Sequence, residues 1–324
     1  MKSSSAFTQT RFTQIGASSR STYLAPGQRG KVLAAFSNAI YLLADDSELF
    51  WIVSENAPMH RRALKISAPL SGPQAGSLFH VQDQRLMIDP GFAYDMEHAL
   101  QWRAPSIDQN NTVDISDIST RIQTLFSSLD LSQAKGFGNF IPDILRLAQK
   151  EPTHLQSESS DPILVFAHPV VLEMARACLE NQPSRILQNI NTLIGLGAGL
   201  TPSGDDFLGG LLFAINIFQA AYPDSNFINH AIPIEIYRSW THLISFTLLD
   251  DLASGHAVAP LHQIINGLLS KESLESIYPS VLQLTQVGHS TGWDMLTGLL
   301  AGLLIAFRSN YLISSFRTSQ SIEA

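Results

Sequence analysis

The most unusual stretch of the sequence is the glycine-rich segment Gly195–Asp206, in which alternating glycines precede two adjacent aspartates. Glycine lets a backbone adopt positive φ and approach a ligand closely. We expect a turn that opens a helix, with Ser203 as the N-cap and Asp206 three positions later in an acidic variant of the capping box. Free N–H groups and the positive end of the helix dipole make such a helix start a candidate anion site.

The two aspartates leave several roles open. Asp205 and Asp206 could satisfy the dipole and the free N–H groups by themselves. They could instead hold a cation such as Mg²⁺ that bridges to a phosphate, or orient or deprotonate a substrate amide. The glycines could also serve only for close helix packing, as Gly209 and Gly210 would allow. The sequence does not choose among these roles.

The element recurs further along the chain. Ser203–Leu212 returns 88 positions later as Thr291–Leu300, with six of ten positions identical. Repeated sequence can signal a repeated structural unit. Two such helix starts could face one another across a pseudo-twofold axis and line one pocket, and Asp206 and Asp294 would then meet. The alternative is two glycine-packed bundle helices that never meet.

These turns supply the candidate site residues. The candidates for catalysis are the acidic residues Asp205, Asp206 and Asp294. The candidates for substrate binding are the small, hydroxyl and imidazole residues of both turns, namely Gly197, Gly199, Thr201, Ser203, Gly204, His289, Ser290 and Gly292. No metal-ligand set is assigned. A Cys/His zinc site is excluded because the chain has a single cysteine, Cys178, which we expect to be a buried and inert thiol.

The elements that must position these residues change in type along the chain. Two hairpins are predicted, around the polar turns 44–48 and 82–85, and a helical period begins at Ile115. This predicts an α+β fold, with a small N-terminal antiparallel β domain followed by a mostly helical C-terminal domain. The predicted divisions are a mobile tail over 1–22, a β-rich domain over 23–110, a helical connector and linker over 111–160, a helical domain with the glycine-rich site over 161–312, and a tail over 313–324.

The helices of the C-terminal part are predicted from apolar spacing and from start and stop signals. They lie at 144–148, from Pro169 onward, and at 184–194, 204–221, 234–250, 258–270, 273–287 and 292–309. Because the connections are short, we expect neighbouring helices to pack side by side in a bundle.

Charge and hydropathy exclude two classes of function. The formal net charge is −8 and no basic stripe occurs, which argues against nucleic-acid binding. The N-terminus has no apolar core typical of a secretory signal. The longest apolar runs, 207–215 and 295–307, fall short of the roughly 18 residues that a membrane-spanning helix needs. We therefore expect a cytoplasmic protein that does not bind membranes.

The segment Gly197–Gly210 resembles the signature of a bacterial family that was once of unknown function. Its named member is the AllH-like subunit of oxamate carbamoyltransferase, from anaerobic allantoin degradation. The stretch 288–298, with Ser290, Gly292, Trp293 and Asp294, is similar to the second block of that family. The likeness spans about residues 25–310, and the first block is its specific part.

The resemblance implies transfer of a carbamoyl group between oxalurate and phosphate, which gives oxamate and carbamoyl phosphate in purine catabolism. It also implies partner subunits, among them one related to acyl-CoA synthetases. Carbamoyl phosphate is a small dianion that suits N–H groups at a helix start. Its transfer needs charge stabilisation and orientation and no redox cofactor, whereas Mg²⁺ could take part. The alternative is a non-catalytic scaffold or metabolite-binding subunit of a multi-subunit complex.

Overall fold

The chain forms two compact units. The computed structural model describes residues 8–70, 72–153, 159–225 and 232–307. The first unit comprises Met1–Pro105 and the second Ser106–Ala324. Each unit has its own hydrophobic core.

In the described residues of the first unit, nine strands form one sheet. They are β1 (Thr8–Gly16), β2 (Arg29–Ala35), β3 (Ala39–Ala44), β4 (Leu49–Val53), β5 (Ala63–Ile66), β6 (Leu78–Gln82), β7 (Arg85–Ile88), β8 (Phe92–Asp95) and β9 (Leu100–Trp102). The strand order is β5-β4-β3-β2-β6-β7-β8-β1-β9, and β1 also pairs with β5. Because of this last pairing, eight strands close into a barrel, and β9 continues beside β1.

The predicted α+β class is confirmed, but the predicted antiparallel β domain needs correction. The sheet is a closed barrel of mixed direction, because β1 runs parallel to β8 and β9, and β4 runs parallel to β5. A hairpin turn marks two neighbouring antiparallel strands in a sequence. Parallel pairing between distant segments leaves no such local mark.

Strand β1 lies where a mobile tail was predicted, and that prediction is wrong from Thr8 onward. Phe12 and Ile15 are 3% and 0% exposed and belong to the barrel core. They are three residues apart, so they do not follow the two-residue period of a strand. The structure explains the spacing, because the register against β5 shifts between Phe12 and Gln14, as at a β-bulge. Residues 1–7 lie outside the described part of the chain.

Both predicted hairpins are confirmed. β3 and β4 pair in antiparallel register across the turn 44–48. β6 and β7 pair from Gln82 and Arg85 outward. Asp83 and Gln84, between them, have φ of 47° and 57°, as the two central residues of a type I′ turn do.

The second unit is helical. Its helices are α1 (Ile115–Ser127), α2 (Ile141–Ala148), α3 (Pro162–Leu179), α4 (Pro183–Leu193), α5 (Ser203–Ala221), α6 (Leu243–Ala253), α7 (Ala259–Leu269), α8 (Tyr278–Thr285) and α9 (Thr291–Leu303). Residues of each of these helices pack in one core. Helices α1 and α2, in the predicted connector, are part of that core through Ile118 and Ile144.

Several predicted helix boundaries differ from those observed. α3 begins at Pro162 rather than at Pro169, because Asp161 accepts a hydrogen bond from the N–H of Ile163 and caps the helix there. The predicted helices 234–250 and 273–287 each contain a 3₁₀ turn, at Ile234–Tyr237 and Leu274–Ile277, followed by α6 and α8. α9 runs into a 3₁₀ turn that ends at Phe307, and residues 308 and 309 lie outside the described part.

Helix α3 was not among the apolar runs considered from the sequence, since His168 and Pro169 interrupt it. Among the described residues it is the one helix long and apolar enough to cross a membrane, with 18 residues and a mean hydropathy of 1.5. Half of it is buried within the protein, and His168 bonds Asp143 of α2 at 2.9 Å. A buried core helix of this kind meets the same criterion. Cys178 in α3 is fully buried, and burial raises the pKa of its thiol to about 12, which confirms the buried thiol predicted.

Candidate functional site

Helices α5 and α9 carry the two copies of the repeat, and they meet backbone to backbone. A side chain at Gly210 would overlap the carbonyl oxygen of Met295, and one at Gly298 would overlap the carbonyl oxygen of Phe207. Gly210 corresponds to Gly298 in the repeat, and Phe207 corresponds to Met295. Exchanging the two copies therefore converts one glycine–carbonyl contact into the other. A pseudo-twofold axis between the two helices produces this relationship.

The repeat extends into the loops that precede these helices. Each loop is closed by the same two backbone hydrogen bonds. They are Leu196 N–H to Leu193 O and Gly204 N–H to Leu196 O in the first copy, and Val287 N–H to Leu284 O and Gly292 N–H to Val287 O in the second. Eight positions separate residues 196 and 204, whereas five separate 287 and 292, so the first loop is three residues longer.

The longer loop holds unpaired backbone donors. Gly197 and Gly199 have φ of +127° and +94°, conformations that glycine adopts readily. Among the hydrogen bonds of the described residues, none uses the N–H groups of 197–201 or of Ser203. Ala198 and Gly199 are exposed, so these donors are within reach of a ligand. The loop has the features expected of an anion site at a helix start.

The predicted capping box is wrong. α5 begins at Ser203 with Pro202 as its N-cap, α9 begins with Ser290 as its N-cap, and neither cap makes a side-chain hydrogen bond to the helix. The hydroxyl groups instead bridge the two copies. Oγ of Ser203 lies 3.4 Å from Oγ of Ser290, and the hydroxyls of Thr201 and Thr291 are 3.1 Å apart. Hydroxyl groups at the start of each helix thus form hydrogen bonds with hydroxyl groups of the other copy.

Asp206 and Asp294 are buried where these helix starts meet, with 3% and 0% of their surface exposed. Burial raises the pKa of Asp206 well above its ordinary value, and the charge of Asp294 raises it further. Burial also raises the pKa of Asp294 to about 7, although the N–H of Phe137 and nearby hydroxyls oppose this shift. The two carboxyl groups, 88 positions apart in the sequence, therefore share one environment.

The carboxyl groups interact across the axis. The hydroxyl of Thr291, at the start of α9, lowers the pKa of Asp206, and the hydroxyl of Ser203, at the start of α5, lowers that of Asp294. Oδ2 of each aspartate is buried without a hydrogen-bond partner. Within the described part of the chain, no cationic group is among those that shift either pKa. The structure thus brings together two buried acids that no cation of the described residues compensates.

A third element contacts the acid pair, and nothing in the sequence indicated this contact. The 3₁₀ turn Gly136–Phe140 places the N–H of Phe137 2.6 Å from Oδ1 of Asp294. A side chain at Gly136, where φ is +54°, would overlap that same oxygen. The Gly-Phe-Gly sequence 136–138 was a visible turn signal, but nothing local connects it to residue 294.

Asp205 accepts hydrogen bonds from different groups than Asp206 and Asp294 do. Its Oδ1 accepts from the N–H of Gly195 at 2.6 Å, and its Oδ2 accepts from the hydroxyls of Ser245, at 2.6 Å, and of Thr241. These donors belong to the glycine-rich loop and to the region where α6 begins. Asp205 therefore ties the loop to α6.

The remaining candidates divide between packing and exposed positions. Side chains at Gly204 and Gly292 would overlap the carbonyl oxygens of Leu193 and Leu284, so both glycines are required for packing of the loops. His289 is exposed beside Ser290 in the second loop. Trp240 is 53% exposed, and its carbonyl oxygen lies against Gly195.

Comparison with known proteins identifies this region. Residues 193–303 match a family model described as oxamate carbamoyltransferase subunit AllH, which confirms the resemblance inferred from the sequence. The match covers about a third of the chain. It runs from the last residue of α4 to the last residue of α9, so it contains both loops and both aspartates. No solved structure matches the chain.

Proposed function

We propose that this chain is a subunit of a carbamoyltransferase that acts on oxalurate and phosphate, or on oxamate and carbamoyl phosphate in the reverse direction, or on a related small anionic substrate. The observation that carries the proposal is the family match over both helix starts, where free N–H groups adjoin a buried acid pair. Association with oxamate carbamoyltransferase implies partner subunits. An acyl-CoA-synthetase-like partner, a cytoplasmic location and a place in allantoin degradation are part of the proposal.

The loop 197–203 is suited to the phosphate group. A phosphate dianion is stabilised by N–H donors and by the positive end of the α5 dipole. In the transfer, an oxygen of the hydrogen phosphate ion bonds to the ureido carbon of oxalurate, and the bond from that carbon to the oxamate nitrogen breaks. The proton that hydrogen phosphate loses is gained by that nitrogen. Backbone N–H donors that are in place before the reaction stabilise the negative charge that develops on the carbonyl oxygen of the ureido group.

The acid pair constrains this arrangement. A dianion close to two carboxylates would be repelled by both of them. Asp206 and Asp294 must therefore be neutralised, by protons or by a cation, whenever phosphate occupies the helix starts. We assign these two residues to the catalytic site, and Asp205 to positioning of the loop.

Calorimetry with carbamoyl phosphate tests the proposal, on the chain alone and together with its partner subunits. We expect saturable binding that weakens in Gly199→Ala, because the loop cannot keep its positive φ without strain. Gly76→Ala is a matched control, since Gly76 also has positive φ, +89°, with open space around it, and lies in the other unit. Absence of binding in every assembly would remove the proposal.

A non-catalytic subunit is the second candidate. It is favoured by the packing roles of Gly204, Gly210, Gly292 and Gly298, which need no ligand. Binding of carbamoyl phosphate without turnover in any assembly would indicate a metabolite-binding subunit. Unaltered turnover by partner subunits when Asp206→Asn replaces the wild-type chain would indicate a scaffold.

A further inference from the structure

We infer that Asp206 and Asp294 bind a single divalent cation that prefers oxygen ligands, of the class of Mg²⁺, Mn²⁺ or Ca²⁺, on the pseudo-twofold axis between α5 and α9. The inference concerns the site of the proposed function. It rests on that function only in its last step, in which the cation contacts a bound phosphate. Binding of the cation itself follows from the protein's own groups.

The first argument is the state of the carboxylate oxygens. Oδ2 of Asp206 and Oδ2 of Asp294 are both buried and both lack a hydrogen-bond partner. An isolated buried carboxylate is costly unless it is paired or coordinates a metal. Two of them side by side add mutual repulsion. Within the described residues, no Lys, Arg or His is among the groups that influence the pKa of either acid, so the protein itself does not balance the charge.

The second argument is the chemistry of the surrounding groups. Four hydroxyl groups accompany the acids, from Thr201 and Ser203 in the first copy and from Ser290 and Thr291 in the second. Each of the four acts on the pKa of one of the two aspartates. All of these groups offer oxygen and none offers nitrogen or sulfur. Hard divalent cations prefer such ligands, and Mg²⁺ is commonly held by one or two carboxylates with water and phosphate completing the shell.

The third argument is the arrangement of charge. Two aspartates from equivalent positions can neutralise one divalent cation in full. A cation on the axis would then adjoin the loop 197–203, whose Thr201 and Ser203 hydroxyls act on the same two acids. It would remove the repulsion between the carboxylates and a phosphate dianion and offer the phosphate oxygens a direct ligand. The alternative neutralising agent is the proton, and the following experiment distinguishes the two.

The test is cation binding to the full chain in the absence of any carbamoyl compound. The protein is treated with EDTA, dialysed, and titrated with MgCl₂, MnCl₂ and CaCl₂ by calorimetry, with electron paramagnetic resonance to count bound Mn²⁺. We expect one site for at least one of these cations. We expect at least tenfold weaker binding in Asp206→Asn and in Asp294→Asn, because each loses one anionic ligand.

The control is Asp108→Asn, which removes one acidic charge from an exposed position where asparagine can replace the capping side chain. Circular dichroism of the cation-free variants verifies folding. If an aspartate variant does not fold, Ser290→Ala removes a neutral ligand instead, and we expect it to weaken binding as well. No saturable binding by the wild-type chain, or equal affinities in wild type and all of the variants at the site, would overturn the inference.

The two proposals fail separately. A chain that binds carbamoyl phosphate but shows no saturable binding of any divalent cation would retain the proposed function and lose the cation site. A chain that binds a cation through Asp206 and Asp294 but never binds carbamoyl phosphate would retain the cation site and lose the proposed function.

Discussion

Asp206 and Asp294 occupy equivalent positions in two copies of one helix start, and the charge of Asp294 raises the pKa of Asp206. Each is bounded by hydroxyl groups from both copies, and each has one buried oxygen without a hydrogen-bond partner. Folding thus brings two like charges together in the interior, where they oppose stability. Such an arrangement is typical of a functional site.

The first prediction concerns Asp206→Asn. We expect carbamoyl transfer by the assembled complex to fall by about 10²-fold or more, as for loss of a preorganised electrostatic group. We expect the cation-free chain to be at least as stable as the wild type at neutral pH, because asparagine carries neither the buried charge nor the cost of protonation that Asp206 imposes on the folded state. Steady-state kinetics and thermal unfolding in EDTA measure the two effects. Loss of cooperative unfolding would instead show that Asp206 is required for the fold.

The second prediction concerns the pH dependence of stability in EDTA. Burial raises the pKa of Asp294 from 3.8 to about 7, so the folded state holds its proton more tightly than the unfolded state does. The resulting stability is fully present below pH 3.8 and is lost as the pH rises to about 7.

Within that window this group alone lowers the free energy of unfolding by about 1.4 kcal/mol per pH unit. Urea unfolding between pH 5 and pH 7 measures the slope, and Asp294→Asn should reduce it. An unchanged slope in the variant would show that other groups cause the dependence.

The third prediction concerns the crossing of α5 and α9. Gly210→Ala should destabilise the protein by about 2 kcal/mol or more, because the added methyl group overlaps the carbonyl oxygen of Met295 and the backbones must separate. Gly209→Ala is the matched control, since its methyl group would meet the end of the Leu252 side chain, which can move. Chemical denaturation compares them. Equal losses would contradict the close backbone contact.

The fourth prediction concerns Asp205, which we describe as a positioning residue. Asp205→Ala removes the acceptor for Gly195, Ser245 and Thr241, and leaves their donors without partners. We expect a loss of about 2 kcal/mol in stability and a rise in KM for carbamoyl phosphate that exceeds the fall in kcat. Ser245→Ala should show a smaller effect in the same direction. A fall in kcat alone would assign Asp205 to the chemistry instead.

The glycine-rich turn and its repeat could be predicted from the sequence because their signals are local. Alternating glycines, a hydroxyl group and an aspartate mark a helix start wherever it lies in a fold. The identity of six positions in ten between the copies then favoured a common site. The roles of the adjacent aspartates could not be predicted. Successive residues on an α-helix point about 100° apart, so Asp205 reaches α6 while Asp206 reaches α9.

The remaining differences arise from contacts between segments that are distant in the chain. Nothing near Phe12 indicates that it pairs with β5 and closes a barrel. Nothing near Phe137 indicates that its N–H reaches Asp294. Hairpins and helix starts leave composition signals within a few residues, whereas these contacts depend on how whole elements pack.

A small molecule without symmetry could sit between two identical halves in either of two directions, related by half a turn. The two halves between α5 and α9 are not identical, since only the first carries the extra residues with Gly197 and Gly199 in left-handed conformations. Among the described residues, the longer loop leaves the N–H groups of 197–201 and Ser203 without a partner, whereas the shorter loop leaves those of 288–291, so the two directions are not equivalent. Lengthening one loop by three residues therefore gives a duplicated scaffold a polarity, with two sides that offer different sets of backbone donors.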